Sequence, residues 1–235
     1  MKKMMSLALL SQNDYLGMDL EKRQINLSAI VAVGIMLAVF IIDQVIKVAV
    51  KTNMHLYESI NVTDWFQIYF IENRGMAFGM DFIGTTFLSI FRIIAIIVFC
   101  VLLVKIIRRR LPIGLIACVS LVVAGAMGNI IDNFCYGMIF SESTPFQVST
   151  LVGWGEGYGQ MISGRVVDMF YFPLFTWPEW MPIVGGEVFF GAVFNFADAA
   201  ISCGAVSILI FYNKYIIDKP QSKSKTSSQP ETPAE

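Results

Sequence analysis

Gly125-Ala126-Met127-Gly128-Asn129-Ile130-Ile131-Asp132 closes an apolar run that begins at Leu111. The stretch reads as the end of a helix that crosses hydrocarbon and stops on an amide and an acid. Asn129 and Asp132 are spaced i, i+3, so both point to one side of that helix. Gly125, Ala126 and Gly128 lie just below them and let another helix approach closely. Asn195 and Asp198 repeat the spacing in a second apolar run, with Ala197, Ala199 and Ala200 around them. Ionisable groups at membrane depth are costly, so each marks a candidate functional position.

Working outward, four apolar runs stand out: 27–50, 82–104, 111–131 and 188–212. Each has about 20 or more residues, enough to cross a hydrocarbon core ~30 Å thick. The expected fold is therefore an all-α membrane protein of four transmembrane helices, with a large connection before the last. Hydrophobic residues make up 56% of the chain and charged residues 15%, where a soluble domain carries roughly a quarter charged. Mean hydropathy is +0.64. The net charge of −1 points to no particular partner. No basic stripe with interleaved aromatics suggests nucleic acid.

The distribution of lysine and arginine sets the expected orientation. Lys105, Arg108, Arg109 and Arg110 separate the second and third runs, and Lys214, Lys219, Lys223 and Lys225 follow the fourth. Lys2, Lys3, Lys22 and Arg23 precede the first, whereas the connections 51–81 and 132–187 are poor in positive charge. The positive-inside bias puts both termini in the cytoplasm. Asp14, Asp19 and Glu21, and the length of the first run, argue against a cleaved signal peptide. Residues 1–26 thus read as a cytoplasmic segment, 27–218 as the membrane domain, and 219–235 as a disordered cytoplasmic tail. Along their helices, Asp43 stands ~24 Å outward from Leu27 and Asp198 ~24 Å outward from Lys214. Asp132 closes a run of similar length. All three acids are expected near the outer boundary of the hydrocarbon.

Other residues say less. Cys100, Cys118 and Cys203 lie inside the runs and Cys135 just beyond the third. Without a CxxC pair they read as packing thiols, and with His55 the single histidine, neither a metal nor a cofactor is expected. Arg92 interrupts the second run and reads as a snorkelling or internally paired side chain. Trp154, Trp177 and Trp180 read as interfacial anchors. Residues 55–80 are expected to form a small extracytoplasmic sheet, because Phe66-Gln67-Ile68-Tyr69-Phe70-Ile71 is β-prone.

Five motifs in register with these spans carry a resemblance. They are Asp43-Gln44 with Lys47; Asn73-Arg74-Gly75-Met76-Ala77-Phe78-Gly79; the 125–132 stretch; Gly164-Arg165-Val166-Val167-Asp168; and Phe194-Asn195-Phe196-Ala197-Asp198-Ala199-Ala200-Ile201. Over roughly 28–213 they resemble the lipoprotein signal peptidases, or signal peptidase II. The resemblance implies an intramembrane aspartic endopeptidase of the bacterial inner membrane. Its substrates would be diacylglyceryl-modified prolipoproteins, cut on the amino side of the lipidated cysteine, with membrane lipid as surroundings and globomycin as a family-type inhibitor. Asp168 and Asp198 match the catalytic aspartates. Asn73, Arg74, Gly75, Asn129, Asp132 and Asn195 match positions that orient the site or substrate, and Asp43 and Lys47 match a supporting pair. Asn129 and Asn195 are candidate donors to an oxyanion.

The chain departs from the family pattern at Asn133, where arginine is usual; Arg74 or Arg165 are the candidates to compensate. The stretches 139–162 and 177–187 are additions, either covers over the site or passive loops. The rival function class is a small membrane carrier using the same carboxylates for proton or cation coupling. A non-enzymatic assembly factor is a third reading. Acids at one end, and four spans without a repeat, argue against a carrier.

Overall fold

The computed structural model describes residues 2–73 and 85–217. Arg74 and Gly75, and the expected C-terminal tail, lie outside the described residues. Helix α1 runs from Lys2 to Asn53. On it, Ser28, Ala32, Val39, Asp43, Lys47, Val50 and Lys51 are buried, whereas Ile30, Val33, Leu37, Ile41 and Val45 are exposed. A helix whose outward face is as apolar as its inward face belongs in lipid rather than water. Among the described residues, two helical stretches, 17–53 and 113–139, are long and apolar enough to cross a membrane. Helix α2 spans Thr85–Arg108.

Helix α3 (Ile113–Ile131) continues without a break through a π-helical turn at Asp132–Tyr136 into a short α4, Gly137–Ile139. The extra residue of a π-turn re-aims the side chains beyond it, and such turns recur at functional sites. Helix α3 packs against α1 and the last long helix through Gly128. A Cβ there would stand 2.6 Å from Asp43 Oδ2 and 3.3 Å from the Ala197 methyl, so glycine is required for the three helices to meet.

Strands β1 (Ser59–Thr63), β2 (Phe66–Asn73) and β3 (Val166–Tyr171) form an antiparallel sheet in that order. This is the expected small sheet, extended by a third strand from the far connection. It sits on the end of the bundle. Val50 and Met54 from α1, Phe70 from β2, Tyr136 and Phe140 after α3, and Val167 and Met169 from β3 form one apolar cluster. A second cluster, with Ala32, Ile106, Leu115, Ile116 and Val119, closes the opposite end. Between them α1 and α3 carry their polar residues.

The added segment 139–162 is hydrogen-bonded back onto the end of the third helix. Gly155 and Gly157 amides donate to Met138 O at 3.0 and 3.1 Å, Gly159 N donates to Gly137 O at 2.7 Å, and Val152 N donates to Ile139 O at 2.8 Å. The second addition is a hairpin of β4 (Phe175–Thr176) and β5 (Val188–Phe189).

The fourth apolar run is not helical from its start. Helix α5 spans Phe196–Phe211, followed by a short α6, Lys214–Ile217. The reason is local: Val188 and Phe189 are taken by β4, and Asn195 caps the helix. Its side chain accepts from Asp198 N while the Asp198 carboxylate accepts from Asn195 N, a reciprocal capping box.

Candidate active site

Asp168 lies on β3, where it pairs with Ile71 of β2. The backbone then carries it to α5. Phe170 and Phe194 exchange hydrogen bonds, Phe170 N to Phe194 O at 2.8 Å and Phe194 N to Phe170 O at 3.1 Å. Strand β3 is thereby fastened to the residue that precedes the cap of α5, and Asp168 comes beside Asn195.

The two acids are joined through two amides. Asn195 Nδ2 donates to Asp168 Oδ1 at 2.7 Å and to Asn129 Oδ1 at 3.0 Å. Asn129 Nδ2 donates to Asp198 Oδ1 at 2.7 Å. Asp198 Oδ2 accepts from Asn195 N at 3.3 Å, and Asp168 Oδ2 accepts from Asn73 Nδ2 at 3.2 Å. The chain Asp168–Asn195–Asn129–Asp198 thus holds both carboxyls by hydrogen bonds of known direction. An amide has two N–H donors, and both of Asn195's are spent on Asp168 and Asn129. Asn195 is therefore an orienting residue, with no proton left for an oxyanion.

Asp168 is almost fully buried and Asp198 half-buried. Burial, and next the neighbouring Asp198 carboxylate, push the Asp168 carboxyl up to about 7, against the opposing pull of the Asn195 and Asn73 hydrogen bonds.

A second polar cluster lies directly behind. Lys47 Nζ sits 2.9 Å from Asp43 Oδ2, 2.8 Å from Asp132 Oδ2 and 2.8 Å from Asn129 Oδ1. Asp43 Oδ1 accepts from Ala197 N at 2.9 Å, satisfying one of the free amides at the start of α5. Gln44 Nε2 donates to Asp43 Oδ2 and Asp132 Oδ1 at 3.1 and 3.0 Å, and Tyr136 OH donates to Gln44 Oε1 at 3.1 Å. Asp43, Lys47 and Asp132 are completely buried. Every sequence-predicted residue among those described is thus brought together: Asp43, Lys47, Asn73, Asn129, Asp132, Asp168, Asn195 and Asp198.

A third cluster was missed in the sequence. The Glu72 carboxylate, beside Asn73, is bonded by buried Lys51, by Ser143 Oγ at 2.7 Å, and by Arg165 Nη1 at 3.1 Å. Arg165 Nη2 also reaches Glu142 at 3.1 Å. Tyr158 lies between the two cations, with Lys51 Nζ 5.1 Å and Arg165 Cζ 4.9 Å from its ring centre. The signal was present, since Asp43, Lys47 and Lys51 recur at four-residue steps along one helix face. This cluster ties the added segment to α1 and β2. Arg165 is thereby engaged away from Asn133, and it is Arg92 whose Nη1 donates to Asn133 Oδ1 at 2.6 Å.

Comparison with known proteins identifies the family. A family model described as signal peptidase (SPase) II matches residues 35–214. A lipoprotein signal peptidase of Porphyromonas gingivalis (strain ATCC BAA-308 / W83) is 47% identical over 192 residues, 79% of this chain and 84% of that protein. Those of Amoebophilus asiaticus (strain 5a2) and Chlorobium luteolum (strain DSM 273 / BCRC 81028 / 2530) are 34% and 32% identical, covering 81% and 80% of this chain and 80% and 95% of theirs. A solved bacterial membrane enzyme shares the fold, with a TM-score of 0.52 at 24% identity over 83% of this chain and 94% of that one.

Proposed function

The chain belongs to the signal peptidase II family of peptidases, and from that premise we propose that it cleaves prolipoprotein signal peptides as an intramembrane aspartic endopeptidase. The observation that carries this reading is the amide-bridged pair, Asp168 and Asp198, with the Asp168 carboxyl raised to about 7. Peptide hydrolysis needs a base to activate water and an acid to protonate the leaving amine. Two carboxylates whose charges oppose one another share a proton, so one member is base while the other is acid. Near neutral pH, Asp168 is suited to hold that proton and Asp198 to polarise the water. The roles exchange as the proton moves to the departing nitrogen.

Asn195 and Asn129 hold the two carboxyls in register, and Asn73 holds the second oxygen of Asp168. The Lys47 cluster keeps α1, α3 and α5 at fixed spacing behind them. The substrate is a diacylglyceryl-modified prolipoprotein, its acyl chains lying against the lipid-facing helices. All four long helices cross the inner membrane, both termini are cytoplasmic, and the sheet and dyad face outward at the outer leaflet. Arg74 and Gly75 contact the substrate, and globomycin inhibits. A carrier would use carboxylates that load and release ions; no observation favours it over a peptidase.

The test uses purified full-length protein with a prolipoprotein carrying diacylglycerol on its cysteine. Mass spectrometry should find a new amino terminus at the lipidated cysteine, with no product from the unmodified precursor. Absence of cleavage, or equal cleavage of both precursors, overturns the reading. For orientation, in a background freed of native cysteines, a cysteine at Ser141 should react with an impermeant thiol reagent in spheroplasts and one at Ser222 should not. The reverse pattern overturns the topology.

A further inference from the structure

Arg92 is the polar exception in an otherwise apolar stretch of α2, followed by Ile93 through Val104 without another charge. A guanidinium in an apolar helix must find polar partners in its surroundings. Among the described residues its hydrogen bond goes to an amide, not a carboxylate: Nη1 donates to Asn133 Oδ1 at 2.6 Å. Asn133 is almost fully buried and doubly tied to Gly164. Its Nδ2 donates to Gly164 O at 2.8 Å, and Gly164 N donates to Asn133 O at 2.9 Å. A Cβ on Gly164 would stand 2.0 Å from Asp132 O, so the junction is closed as tightly as backbone allows. Gly164 leads straight into β3, which carries Asp168. The path from α2 to the dyad is thus Arg92, Asn133, Gly164 and β3.

Charge points the same way. Four carboxylates, Asp43, Asp132, Asp168 and Asp198, share the polar layer. Lys47 is bonded to Asp43 and Asp132, and its charge also reaches Asp168. Glu72 on β2 is taken by Lys51 and Arg165. The acids whose charge Arg92 feels are Asp198 first, then Asp168, then Asp132.

We propose that Arg92 is a positioning residue for the peptidase reaction. Through Asn133 it fixes the junction that aims Asp168, and its charge offsets the dyad, which among the described residues has no cation in direct contact. The proposal rests on the dyad reading given above.

Removing the cation should make both members of the pair easier to protonate, so the pH–rate profile should move to higher pH. Arg92→Gln is expected to lower kcat at least tenfold, with little change in KM, and to displace the profile upward by about half a pH unit or more. Arg92→Lys keeps the charge and should leave the profile in place while recovering part of the rate. Moving the guanidinium across the same hydrogen bond, in R92N/N133R, should recover more activity than R92N alone. Wild-type-like rate and profile in Arg92→Gln overturn the proposal, as does a slower enzyme whose profile has not moved. If Arg92→Gln does not insert as a monodisperse protein, Arg92→Lys decides, because a profile shifted in that variant overturns the role of charge. Asp168→Asn is assayed alongside. An active Asp168→Asn enzyme would sink the dyad reading itself, which separates the two failures.

Discussion

The Lys47 cluster and the dyad are neighbours built from the same residue types, but they are balanced differently. In the first, one ammonium stands within hydrogen-bonding distance of two carboxylates and an amide oxygen, and the acids and the lysine are wholly buried. In the second, among the described residues, two carboxyls are held only by amides, and one is half-buried. Burying a charge beside its counter-charge is tolerable; burying it beside a like charge makes it hold a proton. The difference separates a cluster that holds helices together from one able to move a proton.

The comparison breaks most sharply at the dyad. Asp168→Asn and Asp198→Asn should each lower cleavage by at least ~10³-fold, because an amide keeps the shape but exchanges no proton. The folded protein should persist, and Asp168→Asn should be no less stable than wild type. Thermal unfolding beside a cleavage assay checks both halves; turnover near wild type in either variant removes that residue from the chemistry.

Lys47→Met should show the opposite pattern of stability. It strands two buried carboxylates, and breaking buried pairs of this kind costs about 3–5 kcal/mol. The measure is the denaturation midpoint in a fixed detergent. A loss no greater than that of Asp168→Asn would mean the two clusters do not differ as described.

Asn195→Ala stands between them, since it removes both the cap of α5 and the bridge to Asp168. A fall in kcat of about 10²-fold is expected from misplacement alone. A change under about threefold would reduce Asn195 to a packing role.

The pH dependence sharpens the same contrast. With Asp168 raised to about 7 by burial and by Asp198, kcat/KM should fall about tenfold per pH unit above that point as the shared proton is lost. Stability follows the same sign. The folded state binds this proton at pH values where the unfolded carboxyl, at 3.8, has released it. Stability should therefore decline as pH rises from the ordinary carboxylate range to about 7, and Asp168→Asn should flatten that slope. A profile flat to pH 9 contradicts the raised carboxyl.

The smallest effect belongs to the outer cluster. Arg165→Gln loses its bonds to Glu72 and exposed Glu142 and its stacking on Tyr158, and about 1 kcal/mol of stability is expected. Limited proteolysis of the 139–162 segment should accelerate in that variant. An unchanged cutting rate would show that the backbone hydrogen bonds alone hold the segment.

Much of the site was legible because its signals are local. The i, i+3 spacing of Asn129 with Asp132 and of Asn195 with Asp198 depends only on helix geometry. Gly128 announced a close approach, and Phe66–Ile71 announced a strand. The start of α5 was misplaced by eight residues, Val188 against Phe196, because an apolar run does not say whether its residues pair as strand or coil as helix. The Glu72 cluster was hidden for a related reason. Lys51, Glu72, Ser143 and Arg165 come from four separated segments, and although the Asp43, Lys47, Lys51 spacing marks Lys51, it does not point to its partners.

By itself, then, the sequence determined that the chain carries long apolar stretches and which polar pairs share a helix face, since both follow from hydrophobicity and rise per residue. Only the tertiary structure decided which acid received a cation. Lys47 reaches Asp132 across two helices, Asp43 satisfies the amide of Ala197 on a third, and the Phe170–Phe194 ladder sets Asp168 beside Asn195. Those partnerships depend on distances in space between residues far apart in the chain, and the low dielectric of the interior turns each of them into a difference in charge state.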